Sequence, residues 1–335
     1  MGVMIGKRVF RPSERICVTG RGNCVGKYEA DGPLGRYFDT VIPDEYYGET
    51  TFEKAETKFQ RTALDTALRR AGLALRDLDM ISGGDLLNQC IATGYCVRNN
   101  GVPFWGLYGA CSTMALSVIT GALAVESGMA RTAAAVTGSH FCSAERQYRT
   151  PLEYGGQRPP SAQRTVTASA AVVLSDRGCV QVKEILLGRV LDFDITDVAH
   201  MGGAMAPAAA DTFTAYFSDA GLSPADFDLI VTGDLGIYGS NILRDMMKQR
   251  GVDLGTRYHD CGVMIYDGAA QDTHAGGSGC GCSGAVLTAK ILPDMEKGDL
   301  RDVLFCATGA LMSPTSVMQS ESIPGVAHLI RFTRI

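Results

Sequence analysis

The sequence holds one tryptophan, five histidines and no Cys-x-x-Cys pair in 335 residues. Each scarcity excludes something. Eleven cysteines are scattered from Cys17 to Cys306, the nearest pairs being Cys280-x-Cys282 and Cys90 with Cys96. An odd, dispersed set of this kind reads as reduced thiols, neither a disulfide framework nor a zinc site, so no metal is expected. Positive charge is not in excess: 31 Lys and Arg stand against 36 Asp and Glu, for a net charge of -5. That balance argues against nucleic acid as a partner. No stretch reaches the roughly 18 apolar residues of a membrane span without polar or glycine breaks. The opening MGVMIGKRVFRPSER lacks the apolar run of a secretory signal. Gly6 stands where a myristoylation motif needs Ser or Thr. The expectation is a soluble chain with neither signal peptide nor transmembrane helix.

What is abundant is apolar residues, at 46%, and glycine, at 40 residues. Glycines gather in turns before helices. Ile16–Gly20 reads as a strand running into Gly20-x-Gly22-x-x-x-Gly26, which resembles a dinucleotide fingerprint only loosely. The residues that follow form an Asp31-Gly32-Pro33 turn where a helix would be needed, so that reading is rejected. Phe52 to Ala71 carries Ala55, Phe59, Ala63, Leu64, Ala67 and Leu68 at helical spacing and predicts an amphipathic helix ended by Gly72. Leu78–Ser82 predicts the next strand. Phe104 to Ser127 predicts a short strand, a Gly109-Ala110 turn, and a helix apolar on nearly every side, hence buried. Cys111 falls where that helix starts. Unpaired backbone N–H groups there would favour a thiolate and lower its pKa.

The chain repeats itself. Ala71-Gly72-Leu73 and Gly84-Asp85-Leu86 return as Ala220-Gly221-Leu222 and Gly233-Asp234-Leu235, at one offset of 149 residues (Ala71 to Ala220, Asp85 to Asp234). Cys111-Ser112 and Thr137-Gly138 return as Cys282-Ser283 and Thr308-Gly309, at an offset of 171 (Cys111 to Cys282, Thr137 to Thr308). A repeat of half the chain implies two similar α/β halves. Strands alternating with long helices imply mostly parallel sheets covered by helices. The first half, 1–178, closes on the apolar strand Thr165–Ser175, and the second, 179–335, opens near Val180. Glu145–Arg164 is polar, rich in Pro, Gly and Arg, and predicts a long loop of the kind that is either functional or disordered. Its guanidinium groups either make bidentate contacts to an anion or are merely solvated or paired. Gly276–Gly284 precedes a helix over Ala285–Leu292. Such a turn either cradles an anion on exposed N–H groups or lets two central helices approach closely. Asp85 and Asn88, beside the repeated corner, read as turn caps.

Two such halves, with a cysteine opening a buried helix in the first, resemble the thiolase and ketoacyl synthase superfamily. Longer stretches resemble the stage V sporulation protein AD family of spore-forming Firmicutes. These are GDLLNQ at Gly84–Gln89, YGACST at Tyr108–Thr113, AERQYR at Ala144–Arg149 and PLEYGGQRP at Pro151–Pro159. MAPAAADT at Met205–Thr212, HDCGVMIY at His259–Tyr266 and AGGSGCGCS at Ala275–Ser283 complete the set. The resemblance implies a thiolase-like α/β fold whose two pseudo-symmetric αβα halves build a five-layered αβαβα core. It implies binding of dipicolinic acid, alone or as its calcium chelate, with no cofactor. It implies action with the other stage V sporulation A membrane proteins in moving that compound into the developing spore and out at germination. A peripheral place on the spore inner membrane and a homodimer are implied in the same way.

In the superfamily a cysteine thiolate attacks a thioester while a His and an Asn, or two His, stabilise the oxyanion. Cys111 matches the nucleophile. Where those partners are expected the chain reads Gly233-Asp234 and Gly277-Ser278-Gly279-Cys280. A pseudoenzyme is the expectation, and Asp234 would itself disfavour a thiolate. The ligand site is expected from Cys111, Ser112, His140 at the end of a strand, Glu145, Arg146 and Tyr154 of the Arg-rich loop, and Gly277 and Ser278. His259 and His274 are weaker candidates; His200 and His328 read as structural. The alternative is an acyl transferase or thioesterase using Cys111 with His140 as base. A structural plug for a membrane channel is a third reading.

Overall fold

Consecutive apolar residues in a strand point to opposite faces, so a strand that is apolar throughout must be covered on both sides. The computed structural model, which describes residues 2–148 and 158–335, meets that demand with helical layers on both faces of the sheet. The first set of elements is β1 (Cys17–Gly26), α1 (Phe52–Ala71), β2 (Met80–Asp85), β3 (Phe104–Gly106), α2 (Thr113–Glu126), β4 (Ala133–Ser139), α3 (Phe141–Tyr148) and β5 (Ala168–Ser175). The second is β6 (Val180–Leu186), α4 (Met201–Ala220), β7 (Leu229–Thr232), α5 (Gly236–Gln249), β8 (Tyr258–Asp260), α6 (Cys280–Val286), β9 (Asp302–Ala310) and β10 (Gly325–Arg334).

The strands lie in the order β3-β2-β4-β5-β1-β6-β10-β9-β7-β8. Read from either edge, the order is the same. In each run the three outer strands are parallel and the fourth, β5 or β10, runs against both neighbours. The runs meet at the antiparallel pair Gln181 and Cys17.

Side-chain alternation sorts the layers. On β9, Val303 and Phe305 join a central core with Met114, Val118 and Ile119 of α2 and Ala285 and Val286 of α6. Leu304 and Cys306 face the other way, toward Phe213 and Tyr216 of α4 and Leu243 of α5. On β4, Ala135 faces the centre, while Ala134 and Val136 meet Phe59, Ala63 and Leu64 of α1. The result is five layers: α1, a run of strands, the α2 and α6 pair, the second run, then α4 and α5. This is the thiolase-like arrangement the sequence implied.

Local expectations hold with adjustments. Thr51 caps α1 by accepting from the Lys54 N–H, and Gly72 closes it at φ +69°. β1 is longer than expected, because Gly20 and Gly22 continue the strand. A Cβ on Gly22 would stand 2.3 Å from the Ala63 carbonyl oxygen, so this glycine serves the close approach of α1. The second central helix starts at Cys280, five residues before the expected Ala285, and passes through a π-helical stretch, Leu287–Ile291, into Leu292–Lys297. Glu145–Arg164 is not one loop: Glu145 to Tyr148 belong to α3, and Arg164–Thr165 is a short strand paired with Gly277–Ser278. Among the described residues, no helix is long and apolar enough to cross a membrane.

Candidate functional site

After β3 the chain turns through Ala110, at φ +49°, and makes a single 3-10 turn, Ala110–Ser112, before α2. The hydroxyl residues of this turn hold it shut. Ser112 Oγ donates to the Gly109 carbonyl at 2.6 Å, and Thr113 Oγ1 to that of Ala110 at 2.6 Å. Ser112 is therefore buried and structural, while Ala110 and Cys111 of the turn line a cavity, Cys111 with the reactive side chain.

That cavity measures about 70 Å³. Leu86, Tyr108, Ala110 and Cys111 line it from the corner after β2 and the turn before α2, and Ala144, Glu145 and Tyr148 from α3. Thr165 and Ser278 come from the paired short strands and Gln163 from just before the first of them, Val198 and Met201 from the approach to α4 and its start, and Ala310 and Met312 from the end of β9 and just beyond it. The lining among the described residues has no Lys, Arg, His or Asn.

Cys111 Sγ lies 3.8 Å from Ser278 Oγ, which donates to Asp234 Oδ2 at 3.2 Å. Asp234 is fully buried. Its Oδ2 also accepts from the Gly279 N–H at 2.8 Å, and its Oδ1 from Thr308 Oγ1 at 2.9 Å. Burial pushes this carboxyl up, and the hydrogen bonds from Gly279, Cys111, Thr308 and Ser278 work against that rise. Burial, and after it the Asp234 charge, push the Cys111 thiol well above the ordinary range. The expected helix-start lowering is overturned: Cys111 precedes α2 in a closed turn, and a carboxylate stands opposite.

The glycine turn is not an anion cradle. Gly279 N–H is bound to Asp234, Gly281 N–H to Ser139 Oγ at 3.2 Å, and Cys282 N–H to the Gly279 carbonyl at 3.0 Å. Gly279 has φ +108°, and a Cβ there would meet Ser139 Oγ at 2.7 Å. Close packing is what this turn requires.

Of the expected ligand residues, Cys111, Glu145 and Ser278 share the cavity. Gly277 lies beside it in the strand pair. His140 does not reach it. Its ring packs against Phe52 and Phe59, Nε2 meets the Glu45 carbonyl at 2.8 Å, and Nδ1 accepts from the Cys142 N–H at 3.2 Å. Burial pushes its pKa down to about 4. His140 is thus no base for Cys111. Glu45, His140 and Cys142 bring ligand atoms within 4.8 Å of one another, but both ring nitrogens are already committed. Arg146 points away, paired with Glu53, and Tyr154 lies outside the described residues. His259 is exposed, and His274 sits 3.1 Å from Asp272.

The sequence reading missed Tyr108, Tyr148 and Gln163. The two tyrosines lie inside the YGACST and AERQYR stretches and were within reach; nothing local marks Gln163. Asp85 behaves as the cap that its corner suggested, accepting from the Leu87 and Thr93 N–H groups.

Structures with the same fold include 3-oxoacyl-[acyl-carrier-protein] synthases and a tetronic acid condensing enzyme. A 3-oxoacyl-[acyl-carrier-protein] synthase III from Aquifex aeolicus superposes with a TM-score of 0.57 at 14% identity, over 94% of this chain and 99% of its own. A single-residue variant of OleA from Xanthomonas campestris gives a TM-score of 0.60 at 13% identity, over 96% and 99%. Identities so low establish the fold alone. The stage V sporulation protein AD of Bacillus subtilis is 42% identical over 332 residues, 99% of this chain and 98% of that protein. The sequence profile of the family described as stage V sporulation protein AD (SpoVAD) matches residues 6–333. The chain belongs to the stage V sporulation protein AD family.

Proposed function

We propose that this sporulation protein is a binding protein without thiolase chemistry, and that the Cys111 cavity takes dipicolinic acid or its calcium chelate. It acts with the other stage V sporulation A proteins in uptake of that compound into the developing spore and its release at germination. The observation that carries the reading is the Ser278–Asp234 couple set against Cys111. A condensing enzyme needs a thiolate and donors for an oxyanion. Here a carboxylate opposes the thiolate, and no histidine or asparagine reaches the cavity among the described residues. The space suits a compact ligand, since about 70 Å³ is small beside the roughly 300–1,000 Å³ of clefts that hold drug-sized molecules. Association at the membrane is through partner proteins, and the chain forms a homodimer. The exposed Trp105 on edge strand β3 offers a surface for the second copy.

The test is calorimetric titration with dipicolinate, with and without calcium, on the native protein and on Cys111→Ala. Saturable binding that survives the substitution is the expected result. Absent binding, together with acylation of Cys111 by thioesters in intact-protein mass spectra, would put an acyl transferase or thioesterase in its place.

A further inference from the structure

Large apolar side chains stand exposed on two segments that lie side by side. The first, residues 187–200, joins β6 to α4 and carries Val190, Phe193 and Val198. The second, residues 311–324, joins β9 to β10 and carries Val317 and Met318 on a short helix, Pro314–Met318. Backbone bonds tie the two together. The Leu191 N–H donates to the Gly325 carbonyl at 2.9 Å and the Gly325 N–H to that of Leu191 at 2.7 Å, while the Ile323 N–H reaches the Ile195 carbonyl at 2.8 Å. Phe193 is 51% exposed and Met318 81%. The turn under Phe193 is fixed: Asp192 Oδ1 accepts from the Asp194 N–H at 3.0 Å, its Oδ2 accepts from Ser322 Oγ, and Asp194 is held at φ +58°. An aromatic ring presented on a fixed turn loses little freedom when it is covered.

A contiguous apolar face of this kind marks an interaction site, and its charge decides what covers it. The two segments hold four exposed carboxylates, Asp192, Asp194, Asp197 and Glu321, against no lysine and one arginine, Arg189, which is paired with Asp211. A second copy docked by a two-fold axis would set the same carboxylates against one another. Anionic lipid headgroups would be repelled in the same way. We propose that this face docks a segment of a partner protein whose apolar side chains are flanked by Lys and Arg, with Phe193 and Met318 as its anchors. Val198 also lines the Cys111 cavity, so the docked segment lies at the edge of that cavity. The inference goes beyond the ligand reading above and does not depend on it.

The experiment is fluorescence-anisotropy titration of the full chain against two labelled synthetic helical peptides with the same leucine face, one flanked by lysines and the other by glutamates. Native protein binds the lysine peptide at least about tenfold more tightly than the glutamate peptide, and Phe193→Ser and Met318→Ser each weaken that binding about tenfold. The pair Asp194→Asn and Asp197→Asn weakens it and flattens its dependence on salt. Met129→Ser, exposed on another part of the surface, leaves it unchanged. Thermal melts establish that each variant is folded; should Phe193→Ser fail to fold, Met318→Ser decides. No binding, equal affinity for the two peptides, or native affinity in both Phe193→Ser and Met318→Ser overturns the proposal. Self-association of the native chain in sedimentation equilibrium that Phe193→Ser abolishes overturns it in favour of a second copy. Co-sedimentation with phosphatidylglycerol vesicles that Phe193→Ser abolishes overturns it in favour of a lipid surface. Calorimetric affinity for dipicolinate is the same in Phe193→Ser as in the native protein, so the docking face and the ligand reading fail separately.

Discussion

Asp85 and Asp234 stand in the same place in two corners built from the same Gly-Asp-Leu triplet. Asp85 turns into its own loop, where it accepts from the Leu87 N–H, the Thr93 N–H and Thr93 Oγ1. Asp234 turns outward across the molecule, to Ser278, Gly279 and Thr308. Their neighbours differ accordingly. Cys111 lines a cavity, whereas Cys282, its counterpart, is sealed in the central core near the Gly233 carbonyl. Thr308 bonds the carboxylate, and its counterpart Thr137 donates instead to the Gly84 carbonyl. The same scaffold made one corner a support and the other a site. What separates them is which segments arrive from elsewhere, above all the Arg164–Thr165 and Gly277–Ser278 strand pair.

The largest test of this contrast removes the two carboxylates separately. Asp85→Ala and Asp234→Ala each strand several buried donors and are expected to cost about 3 kcal/mol in urea denaturation, taking about 1–3 kcal/mol per unsatisfied group. Only Asp234→Ala should also abolish ligand binding by calorimetry. Loss of binding in both variants would dissolve the distinction.

A third buried carboxylate sharpens it. Glu29 accepts from the Thr167 N–H and from Tyr266 Oη through one oxygen, while its other oxygen has no partner. With fewer bonds than either corner aspartate, it is raised by burial from 4.5 to about 7. A raised folded-state value means that its contribution to stability is complete below pH 4.5 and is lost as pH climbs through about 7. Glu29→Gln keeps an acceptor for Tyr266 without that loss. It should match the native protein near pH 4 and exceed it at pH 8 by on the order of 3 kcal/mol. Parallel stability curves over that range would refute the assignment.

Smaller effects separate the paired cysteines. Cys282→Ala should cost about 1 kcal/mol for the lost burial, and Cys111→Ala less, because its side chain borders open space. Neither thiol should alkylate with iodoacetamide at pH 7.5 as fast as free cysteine; rapid labelling of Cys111 in intact-protein mass spectra would contradict its raised pKa. Arg146→Ala should change stability by less than about 1 kcal/mol, as exposed ion pairs do, with calorimetric affinity for dipicolinate unaltered.

Periodicity and repetition made much of the fold legible. The span of α1 follows from its apolar spacing and from Gly72, and the duplication from the recurring Gly-Asp-Leu and Cys-Ser pairs. Cys111, Ser278 and Asp234 could be marked because each falls in a repeated or glycine-rich turn. The direction of a side chain at a strand end could not. His140 follows β4 just as the site reading required, yet Phe52 and Phe59, far earlier in the chain on α1, draw its ring away. Gln163, Val198, Met201 and Met312 converge from distant segments, and their meeting depends on the packing of layers, which no local pattern encodes.

Asp234 carries two duties. It is the acceptor that anchors the start of α6 to the ends of β7 and β9, and, after burial itself, its charge helps keep the Cys111 proton in place. Replacing Asp234 by alanine would remove that charge and also loosen the junction on which the thiol's own position depends. The protonation of Cys111 is thus tied to the architecture of the corner as well as to its own burial.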